Sequence, residues 1–267
     1  MPSQTRIIAR NFMRLFTPRL LASRIRRKWE LEPEIGLLPA LCDESRVSFD
    51  IGSNWGQYLN SLRSHSAAVV ACEPIPELAR FLRRAFRDVR IMNVALADRK
   101  GSATFNIERD WGRSSLSPAA HREGARIVTV PLDTLDSIAT HPVGFIKVDV
   151  EGHEEEVLDG ALEVISRDLP VLLVEIEERH RPGALKRILD KLSPRGYCAF
   201  FLQNGVVRSI AAFDPLLHQN PCQPGASKMP TRAIAACYIN NFVFIHRSVL
   251  GDRVRRLEEQ GYSVAAA

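Results

Sequence analysis

Short apolar runs alternate with amphipathic segments from about residue 45 onward. Apolar runs of about four to eight residues predict buried strands, and apolar residues at i, i+3 and i+4 predict helices. Strands are predicted over residues 46–51, 67–72, 89–94, 103–107, 127–130, 143–150, 170–176, 197–202 and 241–246. Helices are predicted over residues 54–64, 76–86, 151–166 and 184–192. This alternation is typical of a mostly parallel sheet covered by helices on both faces.

The predicted fold is therefore α/β with a doubly wound sheet, and a ligand is expected beyond the carboxyl ends of its strands. We expect an N-terminal extension over residues 1–44, the α/β domain over residues 45–247 and a C-terminal tail over residues 248–267. Within the domain, the proline-rich residues 203–238 are expected to form an irregular insertion on the substrate side.

The basic character of the chain is concentrated at its N terminus. The whole chain has 36 Lys and Arg against 31 Asp and Glu, a net charge of +5. Residues 1–30 hold eight basic residues and one acidic residue, a net charge of +7, so the other residues together carry −2. The body of the protein is nearly neutral, which argues against nucleic acid as its partner.

The leader has the pattern of a basic amphipathic helix. At ~100° per residue, Arg6, Arg10 and Arg14 share one side, and apolar residues including Phe12 lie opposite. Residues 1–30 are therefore expected to contact an anionic membrane surface; a packed helix, a solvated tail and a mitochondrial presequence are the alternatives. The five cysteines form no C-x-x-C pair, and no apolar run approaches the ~18 residues of a membrane span. We expect a cytoplasmic protein with this one route to a membrane.

A glycine-containing turn follows the first predicted strand, in the segment DIGSNWG that starts at Asp50. Gly52 permits a sharp turn and close approach of a ligand to the backbone, and Gly56 lets the next helix start close to the strand. The second predicted strand ends 21 residues after Gly52, at Glu73, where a carboxylate can accept hydrogen bonds from a ribose diol. Together these features predict an adenosine-containing cofactor; a simple turn with a solvated glutamate is the alternative.

The turn favours S-adenosylmethionine (SAM) over a dinucleotide. A pyrophosphate-binding turn reads G-x-G-x-x-G, whereas this one reads D-x-G-x-x-x-G with Asn54 at the middle glycine position. An acidic residue before the turn disfavours a pyrophosphate and suits a ligand with an ammonium group. SAM carries an ammonium group, a sulfonium charge and a ribose diol.

A second group of charges ends the predicted strand over residues 143–150. Lys147, Asp149 and Glu151 are spaced i, i+2, so they point to the same side of the strand. Charges near a buried strand end cost free energy unless they are paired or functional. We interpret this edge as an active site, with a structural ion pair between Lys147 and Asp149 as the alternative.

These motifs resemble the FkbM family of class I SAM-dependent methyltransferases. The stretch IKVDVEGHEEEVLDGA over residues 146–161 looks like the family's signature. The blocks DIGSNWG, ACEPIP, NVALADRKG, SSL and VPLDTLDS match other family blocks in order. The resemblance covers roughly residues 45–180, and more loosely the last strand near NNFVF.

The resemblance implies a Rossmann-like, mostly parallel, seven-stranded sheet with an antiparallel last strand. It also implies methyl transfer from SAM to a hydroxyl group of a sugar, glycolipid or secondary metabolite. Glu73 would hold the ribose of SAM, and Asp98 would lie near its adenine. The residues that would surround the methionine part are Asp50, Gly52, Ser53, Asn54 and Gly56. Ser53 and His153 depart from the small residues that are common at those two positions of the family.

Methyl transfer to a hydroxyl group needs a base that shares the hydroxyl proton. Asp149 and His153 are the leading candidates, and Lys147, Glu151 and Glu175 follow them. A divalent metal held by Asp149, Glu151 and Glu175 is an alternative means of acidifying the hydroxyl, but no spacing demands a metal and none is predicted.

Three other functions share some of these features. A nicotinamide-dependent oxidoreductase or epimerase would use the same turn and Glu73, but the pyrophosphate fingerprint is absent. A nucleic-acid methyltransferase would use the basic leader, but the neutral body and an aromatic content of 7% argue against it. A catalytically silent SAM-binding module is the third. The sequence does not identify the methyl acceptor among small molecules, glycans and glycolipids.

Overall fold

The computed structural model of the protein describes residues 32–107, 126–219 and 238–265. The basic leader, the SSL block and half of the proline-rich segment (residues 220–237) lie outside these residues, and so do the predictions made for those parts. Within the described residues, no helix has both the length and the apolar character needed to cross a membrane.

The described residues contain twelve strands. They are β1 (Val47–Ile51), β2 (Ala68–Cys72), β3 (Arg90–Met92), β4 (Ala95–Leu96), β5 (Gly101–Ile107), β6 (Arg126–Asp133), β7 (Val143–Val148), β8 (Val171–Glu175), β9 (Tyr197–Gln203), β10 (Val206–Ser209), β11 (Asn241–His246) and β12 (Ser263–Ala265). Nine of them form the main sheet, in the order β12-β10-β9-β11-β8-β7-β1-β2-β3, and β4, β6 and β5 form a small second sheet. Each predicted strand has a counterpart among the twelve.

The predicted fold class is confirmed. Strand β1 pairs in parallel with β2 and β7, and β7 pairs in parallel with β8, whereas β11 is antiparallel to both β8 and β9. The chain therefore leaves β1 in one direction to form β2 and β3 and returns to its other side with β7. This reversal of strand order opens a crevice at the carboxyl ends of β1 and β7, where doubly wound sheets bind their ligands.

The main sheet has nine strands because β10 and β12 extend the seven expected ones beyond β9. Strand β10 forms a hairpin with β9 through Asn204 and Gly205, which have positive φ angles of 53° and 78°. The Asn-Gly pair is a strong hairpin signal that the prediction of an irregular segment over residues 203–238 overlooked. Residues 248–265, expected to be a tail, lie in a helix that begins at Arg247 and in β12, which pairs with β10.

The helices cover both faces of the main sheet. They are α1 (Leu38–Leu41), α2 (Leu59–Leu62), α3 (Pro76–Ala85), α4 (Leu135–Ile138), α5 (Glu154–Asp159), α6 (Leu162–Asp168), α7 (Ala184–Leu192), α8 (Pro215–His218) and α9 (Arg247–Glu259). A 3-10 turn over Pro33–Leu37 leads into α1. The predicted helix over residues 54–64 is wrong in its first half, where turns precede α2, and the predicted helix over 151–166 divides into α5 and α6.

Alternate residues of the central strands belong to two different cores. Along β2, Val70 and Cys72 pack into the core under α5, α6 and α7, whereas Val69 and Ala71 pack into the core under α1, α2 and α3. A parallel strand buried on both faces must be apolar on both. On β7 the second core also receives a charge, Lys147, which is only 3% exposed.

Gly160, between α5 and α6, lies against the backbone of Ala97, whereas Gly251 in α9 has open space beside it. A Cβ at Gly160 would lie 2.0 Å from the backbone oxygen of Ala97, whereas a Cβ at Gly251 in α9 would meet nothing within 4 Å. We predict that Gly160→Ala lowers the free energy of unfolding by roughly 1–3 kcal/mol through overpacking. Gly251→Ala, the matched control, should raise it by up to about 1 kcal/mol because alanine favours helix.

Urea unfolding followed by circular dichroism measures both changes in the free energy of unfolding. Equal effects of the two substitutions would show that the contact with Ala97 does not limit the position of α5.

Candidate functional site

A cleft of about 570 Å³ lies at the carboxyl ends of β1, β2 and β7. It follows directly from the reversal of strand order at β1, because no strand or helix fills the space where the two connections diverge. Its residues fall into a polar end at the turn after β1 and an apolar end beside the small sheet. The lining residues are Ile51, Gly52, Asn54, Cys72, Glu73, Pro74, Ile75, Val94, Ala95, Leu96, Phe105, Asp149, Val150 and Glu151.

The turn after β1 is held between the two neighbouring strands. The Gly52 amide donates to the Cys72 carbonyl oxygen at 2.9 Å, and the Asp149 amide donates to the Ile51 carbonyl oxygen at 3.0 Å. A Cβ at Gly52 would lie 1.7 Å from the backbone oxygen of Asp149, and its φ angle of 79° is one that other residues rarely adopt. This position therefore needs glycine, because the turn passes over the end of β7 with no room for a side chain.

The remaining turn residues have separate structural roles. Gly56, with a φ angle of 76°, packs against Phe86 and Leu82, and a Cβ there would lie less than 3.0 Å from each of them. The Ser53 hydroxyl donates to the Asp50 carbonyl oxygen at 2.7 Å. Asn54 has a φ angle of 48°, and its backbone N–H group donates a hydrogen bond to Glu73 in the cleft wall. Of the five turn residues assigned to SAM by resemblance, Gly52 and Asn54 line the cleft.

Glu73 forms one wall of the cleft and is 3% exposed. One carboxylate oxygen accepts a hydrogen bond from the backbone N–H group of Asn54 at 2.8 Å, and the other accepts one from the backbone N–H group of Ile75 at 2.8 Å. Burial raises the pKa of Glu73 to about 8, although these two backbone hydrogen bonds act in the opposite direction. The side chain is therefore fixed in orientation, and each oxygen keeps a second lone pair for a ligand.

The opposite end of the cleft is apolar. Ile75 of the ACEPIP block and Val94 and Leu96 of the NVALADRKG block line it together with Phe105 of β5. Asp98, assigned to the adenine side by resemblance, does not line this cleft: it is exposed and pairs with Arg99 at 3.0 Å. The surface suited to a flat aromatic ring consists of these apolar side chains, of which the sequence prediction named none.

Three charged side chains meet beneath the cleft. Asp50 is 1% exposed and lies opposite Lys147 in the register of β1 and β7. The Lys147 ammonium group forms a 2.9 Å ion pair with Asp149 and lies 4.6 Å from the centre of the Tyr58 ring. Among the described residues, neither carboxylate oxygen of Asp50 has a hydrogen-bond partner. The sequence analysis named an ion pair between Lys147 and Asp149 as the alternative to an active site, and the structure contains that ion pair.

Burial and the neighbouring charges shift the protonation of this group. Burial raises the pKa of Asp50 to about 6, with Lys147 opposing the shift and Asp149 adding to it. Burial alone would lower the pKa of Lys147, but the adjacent carboxylates, Asp149 first, raise it above its usual value. Lys147 therefore stays charged, and Asp50 titrates close to neutral pH in the empty protein.

A smaller pocket of about 180 Å³ adjoins the cleft. The two cavities share Asp149 and Glu151, so these two carboxylates stand between them. The small pocket is lined by Asp149, Glu151, Gly152, Glu154, Glu175, Glu177 and His180. No group of three acidic, histidine or cysteine side chains in the described parts of the chain is arranged to hold a metal ion.

The carboxylates of this pocket are held in place by defined partners. The Asn240 side-chain amide donates to Glu175 at 2.6 Å, and the Tyr238 hydroxyl donates to Glu177 at 3.1 Å. Burial, reinforced by the charge of Asp149, raises the pKa of Glu175 and brings that of Glu151 to about 8. The pocket is thus a rigid ring of acceptors in which several carboxyl groups hold a proton near neutral pH.

His153 and His180 occupy different positions relative to this pocket. His153 caps the start of α5 and lines neither cavity; burial lowers its pKa. His180, which the sequence prediction did not consider, lines the small pocket. A signal for it existed, because Glu175 and Glu177 repeat at the end of β8 the i, i+2 pattern of acidic residues seen at the end of β7.

The sequence matches the family model of the methyltransferase FkbM domain over residues 50–198. A search of curated proteins gives no match. Among solved structures, the protein is similar to the methyltransferase FkbM from Methylobacillus flagellatus KT, with a TM-score of 0.50 and 18% identity. That alignment covers 76% of this chain and 44% of the other, so the chain spans less than half of that protein's length.

Two further similarities are weaker. An rRNA methylase from Streptococcus thermophilus aligns with a TM-score of 0.43 and 13% identity over 80% of this chain and 93% of its own. TYW2 from M. jannaschii, solved in complex with AdoMet, aligns with a TM-score of 0.35 and 13% identity over 81% of this chain and 76% of its own. The family match covers more than half of the chain and includes the turn, Glu73 and the end of β7, and on this basis the protein belongs to the FkbM methyltransferase family.

Proposed function

We propose that the protein is a SAM-dependent O-methyltransferase whose acceptor presents a hydroxyl group of a small molecule, glycan or glycolipid. The observation that carries the proposal is the pair of cavities that meet at Asp149 and Glu151. The larger cavity combines a polar end with an apolar end, as a site for a nucleoside-containing ligand requires. The smaller cavity, which adjoins the larger one, provides carboxyl groups that can accept hydrogen bonds from hydroxyl groups.

The residues of the larger cavity fit SAM. The two fixed oxygens of Glu73 can accept hydrogen bonds from the ribose diol, and the apolar end with Phe105 suits the adenine ring. The half-buried carboxylate of Asp149 in the cleft lining, and the buried carboxylate of Asp50 beneath it, favour a ligand with an ammonium and a sulfonium charge. Bound there, SAM supplies an electrophilic methyl group on its sulfonium. The protein's part is to orient the two reactants and to receive a proton.

The smaller cavity favours acceptors with hydroxyl groups over acceptors with phosphate groups. Its side chains are carboxylates and one histidine, and the structure gives it no arginine or lysine in its lining. Carboxyl groups accept hydrogen bonds from hydroxyl groups, and the ionised ones among them, such as Glu177 with its lowered pKa, repel phosphates. This arrangement supports a neutral acceptor such as a sugar hydroxyl and argues against RNA.

Asp149 stands where the two cavities meet, and its ion pair with Lys147 fixes its position. A carboxylate there can orient the acceptor hydroxyl toward the methyl group, and Glu151 faces it across the opening. Lys147 itself is too deeply buried to reach a substrate, so its role is to hold Asp149.

Glu73→Gln should weaken SAM binding about tenfold to a hundredfold, because hydrogen bonds to a charged group contribute roughly 1.5–3 kcal/mol. The effect should grow as pH rises from about 7 to 9. Since the pKa of Glu73 is about 8 in the empty protein, its carboxylate becomes the dominant form only above that pH.

Isothermal titration calorimetry with SAM across this pH range measures the effect, and the difference between wild type and variant removes the titration of the ligand itself. Glu77→Gln is the matched control, because Glu77 lies in the first turn of α3 and pairs with Arg126 outside the cleft. Equal SAM affinity of wild type and Glu73→Gln would rule out the ribose role. Titration with NAD should give no binding, whereas NAD binding would favour the oxidoreductase.

Asp149→Asn should reduce turnover by roughly 10²-fold while keeping most SAM binding, because the amide fills the same space but cannot accept the same hydrogen bonds. The assay follows labelled SAM incubated with an extract of glycans and glycolipids, with mass spectrometry of the product. Asp190→Asn, at an exposed ion pair on α7, is the control and should retain wild-type turnover. Near-normal turnover of Asp149→Asn would remove Asp149 from the mechanism.

A further inference from the structure

We propose that Gln219 is a positioning residue for the methyl acceptor, because it holds the carboxylates at the end of β8 in their orientation toward the small pocket. This inference rests on the proposed O-methyl transfer and deepens its acceptor side. Gln219 lies beyond the part of the chain that matches the family model, and it lines neither cavity. Its side chain instead binds the backbone between residues that serve the pocket.

The side-chain amide of Gln219 is buried and has a partner for each of its hydrogens. Its nitrogen donates to the carbonyl oxygen of Ile176 at 2.6 Å and to that of Ile239 at 2.9 Å. Its oxygen accepts a hydrogen bond from the backbone N–H group of Glu178 at 2.9 Å. Because carbonyl oxygens only accept and a backbone N–H group only donates, one orientation of the amide satisfies all three groups.

The first segment bound by this amide supplies two carboxylates of the small pocket. Ile176 stands between Glu175 and Glu177 along the chain, and both glutamates line the pocket. The carbonyl group of Ile176 and the N–H group of Glu178 belong to the two peptide units on either side of the Cα atom of Glu177. The amide of Gln219 binds both units and therefore fixes the direction in which Glu177 leaves the backbone.

The second segment supplies hydrogen-bond donors for these carboxylates. Ile239 stands between Tyr238 and Asn240 along the chain. The Tyr238 hydroxyl donates to Glu177 at 3.1 Å. The Asn240 side-chain amide donates to Glu175 at 2.6 Å. One glutamine amide therefore ties the backbone that carries the carboxylates to the backbone that carries their donors.

The glutamine continues the contact between these two segments where the sheet ends. The ladder between β8 and β11 reaches the pair Glu175 and Asn241. One further backbone hydrogen bond follows, from the Ile176 N–H group to the Asn240 carbonyl oxygen at 2.7 Å. Ile176 and Ile239 are both buried, so their carbonyl oxygens need a partner from the protein, and the glutamine provides it.

The expected consequence concerns the acceptor and not SAM. Glu175 and Glu177 line the small pocket but not the cleft, so a change in their orientation alters the site of the hydroxyl group. Methyl transfer requires an in-line approach of the acceptor oxygen to the methyl carbon, and a misplacement of ~1 Å can lower a rate roughly 10²-fold. Gln219 holds this geometry without contributing a group to either cavity.

The test is Gln219→Met, because methionine keeps the length of glutamine but has no hydrogen-bond donor. Labelled SAM is incubated with increasing amounts of a glycan and glycolipid extract, which gives the maximal rate and the extract concentration at half-maximal rate. The ratio of the first value to the second should fall roughly tenfold to 10²-fold. The affinity for S-adenosylhomocysteine, the demethylated product of SAM, should change less than about twofold in calorimetry because Gln219 does not line the cleft.

Tyr197→Phe is the matched control. The buried Tyr197 hydroxyl donates to the Pro170 carbonyl oxygen at 3.0 Å, just before β8 and hence at the end of that strand opposite the pocket. Both substitutions remove a buried hydrogen bond from a side chain to the backbone, and both should lower stability in urea unfolding. Only Gln219→Met should change the acceptor dependence of the rate, which distinguishes positioning from stability.

Amide hydrogen exchange, followed by NMR, tests the contact without turnover. The N–H group of Glu178 should exchange roughly tenfold faster in Gln219→Met than in the wild type, because it loses its acceptor. Tyr197→Phe should leave this exchange rate unchanged.

Tyr238→Phe is a second variant, which removes a donor to Glu177 and leaves the contacts of Gln219 in place. It should change the acceptor dependence in the same direction. The double variant should lose less than the product of the two single effects, because both substitutions act on the same carboxylate. If Gln219→Met does not fold, Gln219→Glu replaces it, since its carboxyl group keeps an acceptor for the Glu178 N–H group but offers at most one hydrogen to the two carbonyl oxygens.

The outcomes separate the two levels of the proposal. Unchanged acceptor dependence in the Gln219 variant, an equal change in Tyr197→Phe, unchanged exchange at Glu178 in Gln219→Met, or independent effects in the double variant would overturn the role of Gln219 and leave O-methyl transfer intact. Failure of the wild-type protein to bind S-adenosylhomocysteine or to label any hydroxyl group in the extract would overturn the proposed function, and the role of Gln219 with it.

Discussion

The ion pair between Lys147 and Asp149 is the interaction on which the rest of the site depends. A single ammonium group lies among the carboxylates of Asp50, Asp149 and Glu175, all largely withdrawn from water. Removing one partner of such a group leaves an uncompensated buried charge, which typically costs about 3–5 kcal/mol. Because Asp50 of β1 lies opposite Lys147 of β7 in register, the attraction between these two charges also joins the two strands at the point where the strand order reverses.

The excess of carboxylates over cations gives the site its chemical character. One lysine cannot neutralise all of these carboxylates. Burial, reinforced by the neighbouring negative charges, raises the pKa of Asp50, Glu73 and Glu151 toward or above neutral pH. A ligand with positive charge completes this electrostatic arrangement, whereas a phosphate opposes it. In the proposed reaction, this acidic lining would act on both reactants: it would favour a sulfonium donor in the cleft and a hydroxyl group in the adjoining pocket.

Much of the fold followed from the alternation of apolar strands and amphipathic helices, since buried parallel strands such as β2 and β7 must be apolar on both faces. The expected position of the ligand, beyond the carboxyl ends of the strands, also followed, and Glu73 and Asp149 both line the cleft found there. What could not be read from local sequence depends on contacts distant along the chain. Asp98 belongs to a matching block yet points to solvent, and His180 reaches the pocket only because β8 lies beside β7.

The C-terminal helix α9 joins parts of the chain that are far apart in sequence. Arg253 and Arg256 donate hydrogen bonds to the carbonyl oxygen of Cys42, more than 200 residues earlier, just after α1. The segment leading into α1 carries Glu32, which accepts the Tyr58 hydroxyl whose ring covers Lys147. During synthesis, this first segment can gain its final anchor only after α9 has left the ribosome. The contacts that hold Tyr58 over Lys147, beneath the cleft, therefore gain their C-terminal support after most of the residues that line the cleft have been made.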